Sequence, residues 1–185
     1  MNFKINNQSN NLYFLTSKIC GGKKIFFNPK YAKIILDSWK FLRKEKRIKL
    51  YSFTIMPNHI HFIMKPCINW AASQICFDFE SYTAHEILKQ LKRDSKEILI
   101  DYFGKEVGKL KNKDRKHKIW QDIQAKNIES EGFLIQKMEY IYSNAINKGW
   151  QLVKNRADYK YSSACYYNKG KKPIIEIDDL GDVIN

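Results

Sequence analysis

The sequence predicts an α+β fold, in which helices pack on one face of an antiparallel sheet of four or five strands. Short runs of β-branched and aromatic residues alternate with longer segments whose apolar residues recur every three or four positions. The length of 185 residues corresponds to a single domain. A hydrophobic fraction of 44% is sufficient for a packed core.

The first half of the chain predicts the order strand, helix, strand, strand. Residues 12–19 are rich in apolar and aromatic side chains, which is typical of a strand. Asn28 as N-cap and Pro29 at the first helical position then begin a helix that continues to about residue 46. Apolar runs at 48–55 and 59–65 predict two paired strands. This order is the first half of a ferredoxin-like or RRM-like layer.

The second half of the chain adds two helices and a strand. Residues from Glu80 to about 100 have helical periodicity, whereas residues 66–78 have none. A further strand is predicted over 119–125. We expect another helix from Ser130 to about residue 147, shortly before Gly149.

Charge divides the chain into a basic body and an acidic tail. The net charge is +14, from 33 basic and 19 acidic residues. Residues 173–185 contain four acidic residues and no basic ones, so residues 1–172 carry a net +18. We therefore predict one domain over 1–172, with residues 1–10 loosely held, followed by an acidic tail. The basic excess favours a polyanionic partner such as nucleic acid, and a generally lysine-rich composition is the alternative.

Other sequence features indicate a cytoplasmic protein with no membrane partner. The four cysteines do not have the spacing of a zinc site or a redox pair. The N-terminus lacks the apolar segment of a signal peptide, and no run reaches the ~18 apolar residues of a membrane span.

The most informative stretch is 51–65, where Pro57 and Asn58 separate two apolar runs and the second run opens with His59-Ile60-His61. Alternate residues of a strand point to the same face, so the two histidines are expected about 6.5–7 Å apart on one face. Such a pair can chelate one divalent ion. The alternative is a pair of hydrogen-bonded histidines with no chemical role.

Two histidine ligands would leave coordination positions for water or substrate oxygens. This arrangement suits Mg²⁺ or Mn²⁺ more than a closed zinc site, and a phosphodiester suits the basic body. The attacking group could be water or a tyrosine, and composition selects none of the 11 tyrosines. Tyr140 and Asn144 are four residues apart, so they lie within reach of each other on a helix.

The basic connection at 104–118 supplies candidate DNA contacts, since each lysine or arginine that meets a phosphate releases counterions. A solvated loop is the alternative for such a run. The candidate residues are Lys109, Lys111, Lys113, Arg115, Lys116 and Lys118.

Three motifs carry a resemblance to a known family. The stretch 56–61, Met-Pro-Asn-His-Ile-His, resembles the HUH signature of the single-tyrosine transposases. The stretches 140–149 and 158–163 resemble their second and third motifs. Over about residues 10–167 the chain is most similar to the REP-associated tyrosine transposases. It departs from them at Ala145, where the family commonly has proline.

The resemblance implies a role for each matching residue. His59 and His61 match the metal-binding histidines, Tyr140 matches the nucleophile, and Asn144 matches the polar residue that completes the metal site. Tyr140 would attack a phosphate of single-stranded, hairpin-forming DNA, leaving a 5′-phosphotyrosine and a free 3′-hydroxyl. The cofactor would be Mg²⁺ or Mn²⁺. Action as a homodimer or as a monomer stays open.

Alternatives to this interpretation remain at the sequence level. Tyr142 is a rival nucleophile, but a helix turns it about 200° away from Tyr140, and the motif favours Tyr140. The chain could also be a catalytically silent module that binds hairpin DNA or RNA. A third alternative is an HUH endonuclease of the replication-initiator or relaxase type.

Overall fold

The computed structural model describes residues 11–107, 116–121 and 123–182. Its centre is a four-stranded antiparallel sheet with the strand order β2-β3-β1-β4. The strands are β1 (Leu12–Lys18), β2 (Ile48–Met56), β3 (His59–Pro66) and β4 (Gln124–Ile128). The predicted α+β class and the ferredoxin-like start of the chain are confirmed.

Within the described residues, five α-helices connect and flank the strands. They are α1 (Pro29–Lys44), α2 (Ala72–Arg93), α3 (Glu97–Val107), α4 (Glu131–Ser143) and α5 (Ala164–Lys169). The side chain of Asn28 accepts a hydrogen bond from the backbone N–H of Lys30 at 3.0 Å, and Ser130 caps α4 through the N–H of Phe133. The predicted N-cap Asn28 and the predicted helix start at Ser130 are therefore confirmed. Within the described residues, no helix combines the length and the apolar character that crossing a membrane requires.

The predicted helix from Glu80 to about residue 100 is two helices, and the first begins eight residues earlier, at Ala72. The chain breaks at Ser95, which has a φ of 51°. The preceding Asp94 accepts hydrogen bonds from the side chains of Lys30 and Tyr31. These long-range bonds fix the end of α2, and they have no signature in the local sequence.

Two other boundaries also differ from the prediction. The strand expected over 119–125 is β4, which begins only at Gln124, because Trp120 pairs with Ile19 in an isolated bridge instead. The last long helix ends at Ser143 rather than near residue 147.

Helices cover both faces of the sheet, and not one face as the sequence suggested. One face of β1 presents Tyr13 and Leu15 to a large apolar core that includes Trp39 of α1 and Phe79 of α2. The other face presents Leu12 and Phe14 to a smaller cluster with Leu134 and Ile141 of α4. We call these the α1/α2 face and the α4 face. The chain reaches the second face because α4 follows the edge strand β4 and folds back over the sheet.

The acidic tail, as far as residue 182, is packed against the outer edge of β2. Ile175 is buried in the larger core. Asp178 forms a two-pronged ion pair with Arg43, with N–O distances of 2.8 and 3.1 Å. Its backbone N–H donates to the carbonyl of Leu50, whose own N–H donates to the Asp178 carboxylate, both at 2.7 Å. This segment is therefore part of the fold that the structure describes, rather than a loose appendage.

Candidate active site

A cleft of about 520 Å³ opens on the α4 face, where the two central strands meet. In the antiparallel register of β1 and β3, Thr16 lies opposite His61 and Lys18 lies opposite His59. Alternation along each strand places all four side chains on the α4 face. The same cleft is bordered by α4 and by the turn that follows it.

The two histidines face each other in this cleft. Their ring centroids are 4.8 Å apart, which confirms the prediction that they share one face. His61 is buried, with 2% of its surface exposed, whereas His59 is partly exposed. Ile60 between them is fully buried in the core of the α1/α2 face, so the strand cannot slip by one residue without exposing it.

Hydrogen bonds hold one nitrogen of each imidazole ring. Nδ1 of His61 lies 2.8 Å from the hydroxyl of Thr16, and Nδ1 of His59 lies 2.6 Å from the side-chain oxygen of Asn58. Nε2 of His61 is buried and has no hydrogen-bond partner among the described residues. A buried nitrogen in this position is costly unless something occupies it, and a partner on Nδ1 is the usual arrangement of a metal-binding histidine.

Burial lowers the pKa of both histidines. Desolvation, with a smaller effect of the neighbouring His59, lowers the pKa of His61 to about 3. Desolvation and the charge of Lys18 lower the pKa of His59 to about 4, while a hydrogen bond with Asn144 acts in the opposite direction. Both rings are therefore neutral at pH 7, which is the form that binds a metal.

The last turn of α4 brings Tyr140 and Asn144 to the histidines. The Tyr140 ring centroid is 5.1 Å from that of His61, and the tyrosine is 48% exposed. Asn144 is buried, and its amide nitrogen donates to the Tyr140 carbonyl at 2.6 Å. The structure thus gathers around one cleft the four residues predicted as nucleophile and metal ligands.

The donor set in the cleft fits an open divalent-metal site. It offers neutral imidazole nitrogens and the side chain of Asn144, which hydrogen-bonds His59. No group of three or more histidine, cysteine or acidic side chains converges anywhere in the described parts of the chain. A metal held here would have few protein ligands, so coordination positions would remain for substrate oxygens.

Tyr142, the rival nucleophile, faces away from the cleft. It is 3% exposed, and the hydroxyls of Ser52 and Ser163 lie 2.9 and 3.3 Å from its own. Burial raises its pKa to about 12. A buried, hydrogen-bonded phenol that holds its proton is a structural group.

Most residues that line the cleft were not singled out as site residues from the sequence, and three of them contribute to its geometry. Thr16 orients His61, Lys137 lies one turn before Tyr140 on α4, and Trp150 follows α4. The ammonium of Lys137 is 5.9 Å from the Tyr140 ring centroid and 5.4 Å from that of Phe14. Helical spacing from Tyr140 could have identified Lys137, and strand alternation could have identified Thr16.

The candidate DNA contacts of the basic connection do not line this cleft where they are described. Lys116 and Lys118 border a separate cavity against α2, on the α1/α2 face. Their contact with DNA stays a prediction. Four further candidates lie outside the described residues: Lys109, Lys111, Lys113 and Arg115.

Comparison with known proteins identifies a family and a structural neighbour. The family described as Transposase IS200 like matches residues 19–123, which is more than half of the chain and includes both histidines. Among solved structures, the chain is similar to a REP-associated tyrosine transposase bound to a REP hairpin, with a TM-score of 0.64. The two share 17% sequence identity over 97% of this chain and 93% of that chain, a likeness of fold. No curated protein matches the sequence significantly.

Proposed function

Since the chain belongs to the IS200-like transposase family, we propose that it cleaves and rejoins single-stranded DNA through a covalent bond to Tyr140. The observation that carries this proposal is the position of Tyr140, an exposed phenol beside the buried His61 and the partly exposed His59, both of them neutral. The family model itself ends before α4, so the assignment of the nucleophile depends on this geometry and on the motif.

The cleavage step exchanges one phosphodiester for another. The Tyr140 oxygen forms a bond to phosphorus, and the bond between phosphorus and the 3′-oxygen of the preceding nucleotide breaks. The phenol loses its proton, and the departing 3′-oxygen gains one to become a hydroxyl. The DNA 5′ end remains on the tyrosine, and attack by another 3′-hydroxyl reverses the step and joins two strands. No nucleotide cofactor is needed, because the covalent bond conserves the energy of the phosphodiester.

The residues of the cleft suit this reaction with Mg²⁺ or Mn²⁺. His59, His61 and Asn144 would hold the ion, which acts as a Lewis acid on the phosphate oxygens when bound. Thr16 and Asn58 fix the orientation of the two imidazole rings. Lys137 places a positive charge beside Tyr140, where it would stabilise negative charge that develops on the phosphate in the transition state.

We propose hairpin-forming single-stranded DNA as the substrate. The structurally similar transposase was solved with a REP hairpin, and residues 1–172 of this chain carry a net +18. Contacts to phosphates would position the stem, while bases of the flanking single strand would determine the cleavage site.

The test is covalent capture of DNA hairpins taken from both flanks of the gene. Each hairpin is labelled at its 3′ end in one sample and at its 5′ end in another, and is incubated with protein and Mg²⁺ or Mn²⁺. On a denaturing gel the 3′ label is expected to migrate with the protein and the 5′ label with a released fragment. EDTA and Tyr140→Phe should each abolish the protein-bound band.

Tyr142→Phe is the matched control, because it removes the same atom two residues away on the buried side of α4. It should retain the band. Retention of the band in Tyr140→Phe would contradict the assignment of the nucleophile. Tight binding of the hairpins by the wild type with no covalent band would instead support the silent binding module.

A further inference from the structure

Trp150 differs from the other three tryptophans of the chain. Trp39 and Trp120 are buried in the larger apolar core, and Trp70 packs against that core. Trp150 belongs to neither apolar cluster of the described residues and is partly exposed. A partly exposed indole outside both apolar clusters is available for contact with a ligand.

The ring of Trp150 borders the cleft that contains the histidines. Its centroid is 6.1 Å from that of His59, and the two planes are inclined at 51°. The ammonium of Lys24, an exposed side chain on the segment after β1, is 5.3 Å from the same indole ring. An aromatic face and a cation therefore adjoin the position proposed for the scissile phosphate.

The backbone around Trp150 is fixed by the end of α4. The N–H of Trp150 donates to the carbonyl of Asn147 at 2.8 Å, and the N–H of Leu152 returns to the carbonyl of Ala145 at 2.8 Å. The turn thus presents the indole in one place relative to Asn144. A ring held in this way loses little conformational freedom when a ligand stacks on it.

We propose that Trp150 is a stacking platform for a DNA base next to the scissile phosphate, and that Lys24 binds an adjoining phosphate. This inference deepens the proposed function and rests on it. Indole stacks on any base, and a cation beside it matches the alternation of bases and phosphates along a single strand. Stacking is strongest for purines, so the platform favours a purine at this position. Trp150 is thereby assigned a role in binding a base at the cleft, with a modest preference for purines.

The experiment measures binding separately from cleavage. All variants are made in Tyr140→Phe, and fluorescence anisotropy gives the affinity for labelled 12-mers of deoxyadenosine and for a 12-mer of abasic sugar-phosphate, in EDTA. Trp150→Leu is expected to weaken binding of the adenine 12-mer about ten-fold, whereas Trp150→Phe retains most of it. Neither substitution should change binding of the abasic 12-mer. Lys24→Gln should weaken binding of both oligomers.

Trp70→Leu is the control, since Trp70 is partly exposed and stacks with Arg47 rather than with a residue of the cleft. Circular dichroism confirms that each variant is folded. Equal affinity of Trp150→Leu and its parent for the adenine 12-mer would overturn the stacking role. An equal loss of affinity of Trp150→Leu for the adenine and the abasic 12-mers would also overturn it, because such a loss would not depend on the base. Failure of the proposed function would be seen in a different experiment, the covalent capture assay, in which the protein with intact Tyr140 would give no covalent band.

Discussion

The two faces of the sheet differ in what they bury. The α1/α2 face holds an apolar core in which Trp39 lies within 5.3 Å of both Phe53 and Phe62, measured between ring centroids. The α4 face has a smaller apolar cluster at one end of the sheet and a polar row at the other. In that row Thr54, His61, Thr16 and Gln124 lie opposite one another across the four strands.

The residues that stabilise the fold therefore lie mainly on one face of the sheet, and the candidate catalytic residues lie on the other. Apolar burial provides most of the folding free energy, and it is concentrated on the α1/α2 face. The same strands supply the cleft, since successive residues of β1 and β3 point to opposite faces. The cleft can therefore hold the buried His61, which costs stability, because the other side of the sheet compensates for it.

The largest effect is expected on the α1/α2 face. Trp39→Ala should lower the free energy of unfolding by about 3–5 kcal/mol, because it leaves a cavity among three phenylalanine rings. Urea denaturation measures this loss. Phe41→Ala, two residues along α1 at a side chain that is 51% exposed, should change stability by less than about 0.5 kcal/mol. Similar losses at the two positions would refute the assignment of stability to this face.

A smaller effect, on reactivity rather than stability, is expected in the cleft. Lys137→Gln removes the charge beside Tyr140 and should slow formation of the covalent band about ten-fold, the equivalent of about 1.4 kcal/mol. Its unfolding transition should stay unchanged. Lys40→Gln on α1, an exposed lysine of the other face, should leave the rate as it is. Equal rates for wild type and Lys137→Gln would show that this charge does not act on the reaction.

The smallest effect is expected on the buried side of α4. Tyr142→Phe should cost about 1 kcal/mol of stability, since the Ser52 hydroxyl loses the acceptor to which it donates. The native pKa of Tyr142 is raised to about 12, so the native state keeps a proton that the unfolded state releases near pH 10. The stability that depends on the protonated phenol of Tyr142 is present below pH 10 and is lost as the pH rises toward 12. Urea denaturation at several pH values from 8 to 11 should therefore show that the free energy of unfolding decreases less with rising pH in Tyr142→Phe than in the wild type. Equal decreases in the two proteins would contradict the raised pKa of Tyr142.

Local patterns in the sequence were sufficient to predict much of the candidate site. Strand alternation alone places His59 and His61 on one face, and helical spacing alone relates Tyr140 to Asn144. Their convergence in one cleft required the family resemblance, because the two motifs are about 80 residues apart. The role of each residue stays a prediction until the covalent band is tested.

The features that the sequence did not predict depend on contacts between distant segments. Asp94 ends α2 through bonds to α1, and Asp178 binds Arg43 from the far end of the chain. Neither carboxylate differs locally from an ordinary surface acid. The exposure of Trp150 is a similar case, since a tryptophan after a helix is most often a core residue.

The outer edge of β2 has a consequence for assembly. Its backbone groups are already paired with later segments, since Ile55 bonds to Tyr161, Phe53 to Ser163 and Leu50 to Asp178. A second copy of the chain therefore cannot add a strand there. Among the described strands, β4 forms the other edge of the sheet, and Gln124 and Lys126 of that strand border the cleft. A homodimer that extended the sheet through β4 would therefore bring two clefts side by side.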